Sequence, residues 1–336
     1  MRGKHHSGIL AASLTLLVAA AASPIGAAAQ EDDPQPIAQK YPIDKGIADD
    51  PRVIFADDFD GWEPNTNKPP AGTWTSARPS GNRDQLQNLA VPGRVEIEGK
   101  EQPGGNVLLL RCWNGSRSSA GVTKHLGNYN NRNEGLGDGY EEVYIRWYQK
   151  LDPTYVPERN HGANLGGRDL SRPGSWYVGR ADTMDVAANG YFYSGLQPYD
   201  ERRTGRLYWG FYSYHVDKKQ RWGENYEPTA AERKTIEPGR WYCVERHMKL
   251  NSVDPADPEK AAFDGIEELW IDGERVISRT KLRFRKVPTL KINVFGLEVY
   301  YHGLPAKYTA DKPVNVYYDN LVIAKERIGC LSPAVP

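Results

Sequence analysis

The residues best suited to chemistry lie in one aromatic stretch, residues 206–216, with the sequence RLYWGFYSYHV. If this stretch is a β-strand, alternation places Tyr212 and Tyr214 on one face and His215 on the other. A buried phenol needs a hydrogen-bond partner, so a row of tyrosines suits a hydrated groove in which sugar rings could stack. The alternative is an amphipathic strand with aromatic residues at its edge. A phenol in such a groove could also donate or accept a proton.

The segments that must position these tyrosines are predicted to be strands. They are rich in β-branched and aromatic residues and are separated by clusters of Gly, Pro, Asn and Asp. They lie at 52–56, 106–112, 140–151, 191–196, 207–216, 240–250, 266–271, 290–295 and 314–324. The one helix candidate, at 228–234, is a turn or two long. Many strands with almost no helix predict an all-β fold, a sandwich or jelly roll.

Composition sets limits on the class of partner. The 336 residues contain 43 Lys plus Arg and 43 Asp plus Glu, so no net field attracts nucleic acid or an anionic membrane. The 20 tyrosines and 9 tryptophans, beside only 3 methionines, favour a rigid β scaffold with aromatic binding surfaces. A hydrophobic content of 39% is enough for one large β domain, which is the simplest organisation.

The N-terminus has the pattern of a secretory signal peptide. Arg2 and Lys4 precede an apolar run over 9–22, and small residues end at Ala29. We therefore expect a signal peptide over 1–29, a mature chain that begins at Gln30, a flexible linker over 30–50 and one domain over 51–331. No later apolar run is long enough to span a bilayer, so the mature protein is predicted to be secreted or periplasmic, with no membrane partner.

The three cysteines, Cys112, Cys243 and Cys330, predict one disulfide and one buried thiol, and the sequence leaves the pairing open. No Cys or His pair has the spacing of a metal site, and no cofactor is expected.

Alternation also marks polar faces on two other strands. In 140–151, Arg146 and Tyr148 lie opposite the apolar residues, so they are candidate substrate contacts on a concave face. In 240–250, Glu245 and His247 share one face, while Arg246 interrupts the apolar set on the other. Glu245 and His247 are either further substrate contacts or part of a solvated outer face.

Several motifs occur in order along the second half of the chain. They are GRWYCVERHMKLN at 239–251, LWIDG at 269–273, FR at 284–285, VYYHG at 299–303 and VYYDNLVIA at 316–324. In these motifs the chain resembles secreted bacterial proteins related to polysaccharide lyase family 14, which includes alginate and glucuronan lyases. The resemblance implies a concanavalin A-like β-jelly roll, a sandwich of two antiparallel sheets, and it is strongest over 207–329.

The resemblance also implies roles for individual residues. The family's paired tyrosines match Tyr212 and Tyr214, and its loop lysine corresponds to His161. The family's Ser-x-Arg strand corresponds to 191–196, which contains no arginine. In β-elimination a base removes the C5 proton of a uronate, donors neutralise the carboxylate, and an acid protonates the departing oxygen. The expected roles are Tyr214 as base and acid, Tyr212 as its partner, and His161 near the carboxylate or as the base.

Four further residues are weaker candidates for substrate binding. Arg168 and Arg180 lie in glycine-rich connections that could line a groove. Tyr301 and His302 lie in a late loop that the resemblance places beside the cleft. The expected partner is an acidic, uronate-containing polysaccharide, and the protein is expected to act as a monomer.

Two other functions remain open. A glycoside hydrolase of this fold would use a compact Glu-x-Asp-x-x-Glu strand motif, which the sequence lacks. A non-catalytic carbohydrate-binding or adhesion module needs only the aromatic groove. The two readings differ in geometry, because only a lyase needs Tyr212, Tyr214, His161 and a cation to converge.

Overall fold

A computed structural model of the protein describes residues 35–77, 86–97, 100–101, 105–112, 119–129, 136–153, 155, 160–169, 171, 190–201, 204–220, 222–257, 260–301 and 313–332. All of them belong to one compact unit that begins at Gln35. The signal peptide predicted for 1–29 lies outside the described residues. None of the residues in these ranges forms a helix long and apolar enough to cross a membrane.

Nearly all of the regular secondary structure in the described chain is β-strand. Three 3-10 helices come first, at Ile37–Lys40, Pro42–Asp44 and Ile47–Asp49. The strands are β1 Val53–Asp57, β2 Leu86–Pro92, β3 Glu96–Ile97, β4 Lys100–Glu101, β5 Asn106–Cys112, β6 Ser119–His125, β7 Glu142–Leu151, β8 Asn160–His161, β9 Asn164–Arg168, β10 Tyr191–Asp200, β11 Leu207–Tyr214, β12 Glu224–Tyr226, β13 Trp241–Lys249, β14 Gly265–Ile271, β15 Glu274–Leu282, β16 Val294–Tyr301 and β17 Val314–Ala324.

Two antiparallel sheets carry the fold. The eight-stranded sheet has the order β15-β14-β13-β7-β17-β5-β2, and β1 pairs with the end of β17. The seven-stranded sheet has the order β12-β11-β10-β9-β16-β6, and β8 pairs with β16. This arrangement confirms the jelly-roll sandwich predicted from the sequence.

The main core lies between the two sheets and follows the predicted alternation. On β7, the side chains of Val143, Ile145 and Trp147 are fully buried there. The strand predicted at 290–295 is misplaced, because Leu290 and Ile292 fill the core from the connection that precedes β16. Apolar content alone therefore does not locate this strand. The helix candidate at 228–234 is one hydrogen-bonded turn, not a helix.

The terminal segments cover the outer face of the eight-stranded sheet. Ile37, Ala38 and Ile47 form a second apolar cluster with Val322 and Ile328. Residues 35–50 therefore belong to the domain, which corrects the flexible linker expected over 30–50. The sequence suggested a tether because it is polar and contains prolines, but its few apolar side chains are buried.

The cysteines behave as predicted. Cys243 on β13 is bonded to Cys330 in the C-terminal segment, and Cys112 is a buried thiol. The disulfide therefore fastens the C-terminal segment to the outer face of the eight-stranded sheet. Among the residues described, no group of His, Cys, Asp and Glu has the arrangement of a metal site.

Candidate active site

A row of tyrosines lies on the outer face of the seven-stranded sheet. The register of β10 and β11 places Tyr193 opposite Tyr214. Tyr191, Tyr193, Tyr212 and Tyr214 pack together as a cluster, which we call the tyrosine cluster. Phe211 on the opposite face of β11 belongs to the main core. The alternation predicted for this strand is therefore present.

The tyrosine cluster brings two phenol oxygens together. The Oη atoms of Tyr212 and Tyr214 are 3.3 Å apart, and their rings are nearly perpendicular at 86°. The backbone N–H of Gly223 donates to Tyr212 Oη at 2.9 Å. Burial raises the pKa of Tyr212, which keeps this phenol protonated at neutral pH. Tyr212 can therefore donate a hydrogen bond to Tyr214 and stabilise a phenolate there.

A cation lies beside the same pair. The Nζ atom of Lys218 is 5.8 Å from the centre of the Tyr214 ring, and its side chain is almost fully buried. Lys218 Nζ also donates to the carbonyl of Gln220 at 3.0 Å. Burial lowers the pKa of the Lys218 ammonium group. An ammonium group therefore lies beside one ring of the tyrosine cluster.

A carboxyl group and an amide line the adjacent strands. Tyr193 Oη donates to Glu298 Oε1 at 3.2 Å, and the Asn164 side chain is hydrogen-bonded to the same carboxyl group. Burial raises the pKa of Glu298 to about 7 and outweighs the effect of these two hydrogen bonds, which lower it. Near neutral pH, Glu298 is therefore present in both its neutral and its anionic form.

Two glycines let the rings approach the backbone closely. A Cβ atom on Gly223 would lie 2.7 Å from Tyr212 Cζ and 2.9 Å from Tyr214 Cε2. A Cβ atom on Gly195 would lie 2.7 Å from Tyr193 Oη. Real Cβ atoms do not approach other atoms this closely, so a side chain at either position would displace a ring of the tyrosine cluster.

The described residues between β11 and β12, 215–220 and 222–223, are held by polar contacts. His215 Nε2 and Glu224 Oε2 are 3.0 Å apart, and the backbone N–H of Lys219 donates to Glu224 Oε1 at 2.6 Å. Arg283 forms an ion pair with Asp217. His215 thus supports this loop, and burial lowers its pKa.

A polar network fills the core below the tyrosine cluster. The fully buried Arg246 on β13 donates to the carbonyl and hydroxyl oxygens of Ser194 at 3.2 and 3.0 Å. It also pairs with Glu267 at 3.0 Å, and Arg279 donates to the other oxygen of Glu267 at 2.6 Å. Ser213 completes the network by donating to Ser194 Oγ at 3.1 Å. The residue that interrupts the apolar pattern of β13 therefore links the two sheets.

The other predicted residues on this face are placed only in part. His161 pairs through its backbone with Tyr300 on β16, and its side chain lies outside the described part of the structure. Arg168 on β9 lies on the tyrosine face, and its guanidinium carbon is 4.4 Å from the centre of the Tyr129 ring. Tyr301 is the last residue of β16. Arg180 and His302 lie outside the described residues.

The prediction that Arg146 and Tyr148 contact substrate is wrong. Both lie on the outer face of the eight-stranded sheet, under the terminal segments. Arg146 is fully buried, forms an ion pair with Asp44 and donates to the carbonyl of Asn320 at 2.7 Å. Tyr148 Oη accepts the backbone N–H of Leu331 at 2.9 Å. Alternation correctly excluded both from the main core but could not show that distant segments cover this face.

The prediction for Glu245 and His247 is wrong for the same reason. Glu245 accepts the backbone N–H groups of Ile328 and Gly329 at 2.7 and 3.1 Å and is almost fully buried. His247 is held between Glu142 at 2.8 Å and Glu268 at 2.9 Å. The solvated outer face considered as the alternative is also wrong, because both side chains are buried.

A cavity of about 620 Å³ lies on the outer face of the eight-stranded sheet, among the 3-10 segment and β17. Its polar lining includes Asp44 and Arg94, which already pair with Arg146 and Asp60. The tyrosine face is the better candidate site, because it combines phenols, a carboxyl group, an amide and a cation.

Sequence reasoning missed Tyr193, Asn164, Glu298 and Lys218 as site residues. Tyr191-Phe192-Tyr193 has the same alternation as the recognised tyrosine pair and could have been found in the same way. Nothing in the local sequence marks the other three. Strand pairing brings Asn164 and Glu298 to the site from separate parts of the chain, and the loop after β11 returns Lys218 to the Tyr214 ring.

Sequence comparisons find no matching family model and no matching curated protein. Solved structures do match. The marine PL-14 alginate lyase from Aplysia kurodai is 10% identical with a TM-score of 0.52, and the match covers 81% of this chain and 99% of that one. Alginate lyase Aly36B is 14% identical with a TM-score of 0.48, covering 82% and 98%. The endo-beta-1,4-glucuronan lyase of the fungus Trichoderma reesei is 13% identical with a TM-score of 0.46, covering 76% and 92%. The first of these matches shows that the chain has the fold of a family 14 alginate lyase, as the sequence motifs implied.

Proposed function

We propose that this chain is a secreted polysaccharide lyase that cleaves a uronate-containing polysaccharide by β-elimination. The observation that carries the proposal is the pair of phenol oxygens of Tyr212 and Tyr214, 3.3 Å apart, with the Lys218 ammonium group beside Tyr214. A lyase needs Tyr212, Tyr214, His161 and a cation to converge, and the two tyrosines with Lys218 support this proposal for three of the four groups. The fold shared with a family 14 alginate lyase supports the same class of reaction.

In this mechanism Tyr214 removes the proton from C5 of the uronate. The C4–O bond then breaks as the C4–C5 double bond forms, and the same tyrosine returns the proton to the departing oxygen. Tyr212 remains protonated and stabilises the Tyr214 phenolate, and Lys218 adds a positive charge. No oxidant, reductant or cofactor takes part in this step.

The uronate carboxylate must be neutralised while the C5 proton leaves. The Asn164 amide and protonated Glu298 can donate hydrogen bonds to it. His161 is proposed for the same task, or as the base, and Arg168 as a contact with a neighbouring uronate. One well-placed donor of this kind contributes roughly 3 to 4 kcal/mol to transition-state stabilisation.

The test is ultraviolet absorbance during incubation with alginate, glucuronan, hyaluronan, heparin-type and pectic polymers. A lyase produces an unsaturated uronate that absorbs, and the responsive polymer identifies the substrate class. Tyr214→Phe should abolish the signal, while Tyr317→Phe on the eight-stranded sheet should retain it. A flat trace on every polymer, together with retention of the protein on one of them, would favour a carbohydrate-binding module and refute the lyase proposal.

Secretion is tested on the same protein. A mature chain beginning at Gln30 in the periplasm or culture medium is the expected result of N-terminal sequencing. A full-length chain retained in the cytoplasm would contradict it.

A further inference from the structure

Trp222 is exposed to an extent that is unusual in this protein. It keeps 52% of its surface accessible, whereas Trp62, Trp74, Trp147, Trp209, Trp241 and Trp270 are each 8% exposed or less. A large aromatic side chain in water leaves apolar surface unburied, and such exposure commonly marks a binding surface. The position of Trp222 shows which ligand this surface would meet.

Trp222 is directly adjacent to the candidate active site. The next residue, Gly223, donates its backbone N–H to Tyr212 Oη at 2.9 Å. Consecutive Cα atoms are about 3.8 Å apart, so the backbone of Trp222 begins one residue from the group that binds Tyr212. A polysaccharide with one sugar at Tyr214 extends beyond that sugar, and an exposed aromatic residue this close along the chain is a candidate contact for the next one.

The described residues on either side of Trp222 in sequence are held by polar contacts. These are the contact of His215 with Glu224 and the hydrogen bond from the Lys219 N–H to the same carboxylate. The ion pair of Arg283 with Asp217 ties these residues to the connection that follows β15. An aromatic ring on a preorganised loop loses little conformational entropy when it binds a ligand.

The charge of this loop matches an acidic polymer. Lys219 is exposed three residues before Trp222, and the buried Lys218 places its ammonium group 5.8 Å from the centre of the Tyr214 ring. An aromatic face for the C–H face of a sugar ring and ammonium groups for its carboxylate together suit a uronate better than a neutral sugar.

We infer that Trp222 is the stacking platform of a sugar-binding subsite that holds the uronate next to the one cleaved at Tyr214. This inference rests on the proposed function and names a residue that orients the substrate of that site. Trp222 does not touch the reacting atoms, so it determines how tightly and in which register the polymer binds.

The experiment compares Trp222→Ala, Trp222→Phe and the control Ile43→Ala. Ile43 is 41% exposed on the opposite side of the sandwich, among the segments that cover the eight-stranded sheet. The loss of ring stacking and of the apolar area that the ring buries predicts a rise in KM of about tenfold for Trp222→Ala. The kcat value should change less than twofold, Trp222→Phe should recover part of the affinity, and Ile43→Ala should behave as the wild type.

A second readout does not require catalysis. Retardation in a gel that contains the polymer should decrease for Trp222→Ala, and the polymer should protect one tryptophan from acrylamide quenching in the wild type but not in Trp222→Phe. If the wild type binds polymers without cleaving them, the lyase proposal fails while these binding measurements still decide the subsite. The inference is overturned if the Trp222→Ala variant shows the same gel retardation and the same KM as the wild type.

Discussion

Glu298→Gln should remove a pH dependence from both substrate binding and stability. Glu298 lies within the candidate active site, hydrogen-bonded to Tyr193 and Asn164, and burial raises its pKa from the usual 4.5 to about 7. Below pH 7 the carboxyl group is neutral and can donate a hydrogen bond to a uronate. Above pH 7 it is an anion that repels the uronate carboxylate. The wild type should therefore bind its polymer more weakly as the pH rises from about 6 to 8.

The size of the expected rise in KM follows from the repulsion between the Glu298 and uronate carboxylates. Two carboxylates roughly 6 Å apart repel each other by about 3 kcal/mol at an effective dielectric constant of 20, and mobile ions and adjustment of the polymer reduce this. A rise in KM of about tenfold between pH 6 and pH 8 is a reasonable expectation. The glutamine variant is neutral at every pH and keeps a hydrogen-bond acceptor for Tyr193, so its KM should stay nearly constant.

The same group makes stability depend on pH. Its folded-state pKa of about 7 lies above the ordinary value of 4.5, so the folded protein holds this proton more tightly than the unfolded chain does. The stabilisation is complete below about pH 4.5 and is lost as the pH rises to about 7. Each pKa unit corresponds to about 1.4 kcal/mol, so the 2.5-unit difference gives up to about 3 kcal/mol.

Asp319 provides a matched control. It is fully buried on β17 in the eight-stranded sheet, accepts backbone N–H groups of Val95 and Asn320, and its pKa is also raised to about 7 by burial. Asp319→Asn should therefore flatten the stability profile between about pH 4 and 7 without changing the pH dependence of KM. Urea unfolding and KM measured from pH 5 to 8 separate the two effects. A Glu298→Gln enzyme whose KM still rises with pH as in the wild type would refute the reasoning.

Three further perturbations follow from the same contacts. Gly223→Ala should lower kcat at least tenfold with a folded protein by circular dichroism, because the new methyl group displaces the Tyr212 ring; an unchanged kcat would contradict the close approach. Arg246→Ala should lower the free energy of unfolding, measured in urea, by about 3–5 kcal/mol, because it leaves Glu267 in the core without its buried partner. A loss below 1 kcal/mol would show that Arg279 alone compensates the charge of Glu267. Cys330→Ala opens a disulfide across a separation of 87 residues and should cost about 4–5 kcal/mol by chain entropy, with kcat retained; lost kcat in the folded variant would contradict this.

The parts of the fold that depend on local pattern could be predicted from sequence. Alternation placed Tyr212 and Tyr214 on one face of β11, away from the core, and it placed Trp147 in the core. The expected strands at 106–112 and 314–324 coincide with β5 and β17. These predictions succeed because strand geometry fixes which side chains share a face, whatever the rest of the chain does.

The parts that depend on distant contacts could not be predicted. Arg146 and Glu245 alternate correctly with core residues, yet the segments that cover them are about 100 and 80 residues away in sequence. Glu298 and Lys218 reach the tyrosine cluster only through the order of strands in the sheet and the course of one loop. A periodic pattern contains no information on strand order or on the course of a loop. The sequence therefore identified the phenols of the site but not its carboxyl group or cation.

The polar network under the tyrosine cluster explains how the register of this face is kept. In a strand, a slip of one residue reverses every side chain, which would turn Tyr214 inward and Phe211 outward. Both faces of β11 carry large aromatic side chains, so the burial of apolar surface alone would favour one register only weakly over the other. Ser213 discriminates better, because a slip of β11 would turn its hydroxyl away from Ser194 Oγ, to which Arg246 also donates. The network built on the arginine that interrupts the apolar pattern of β13 therefore favours the register that keeps both phenols on the outer face.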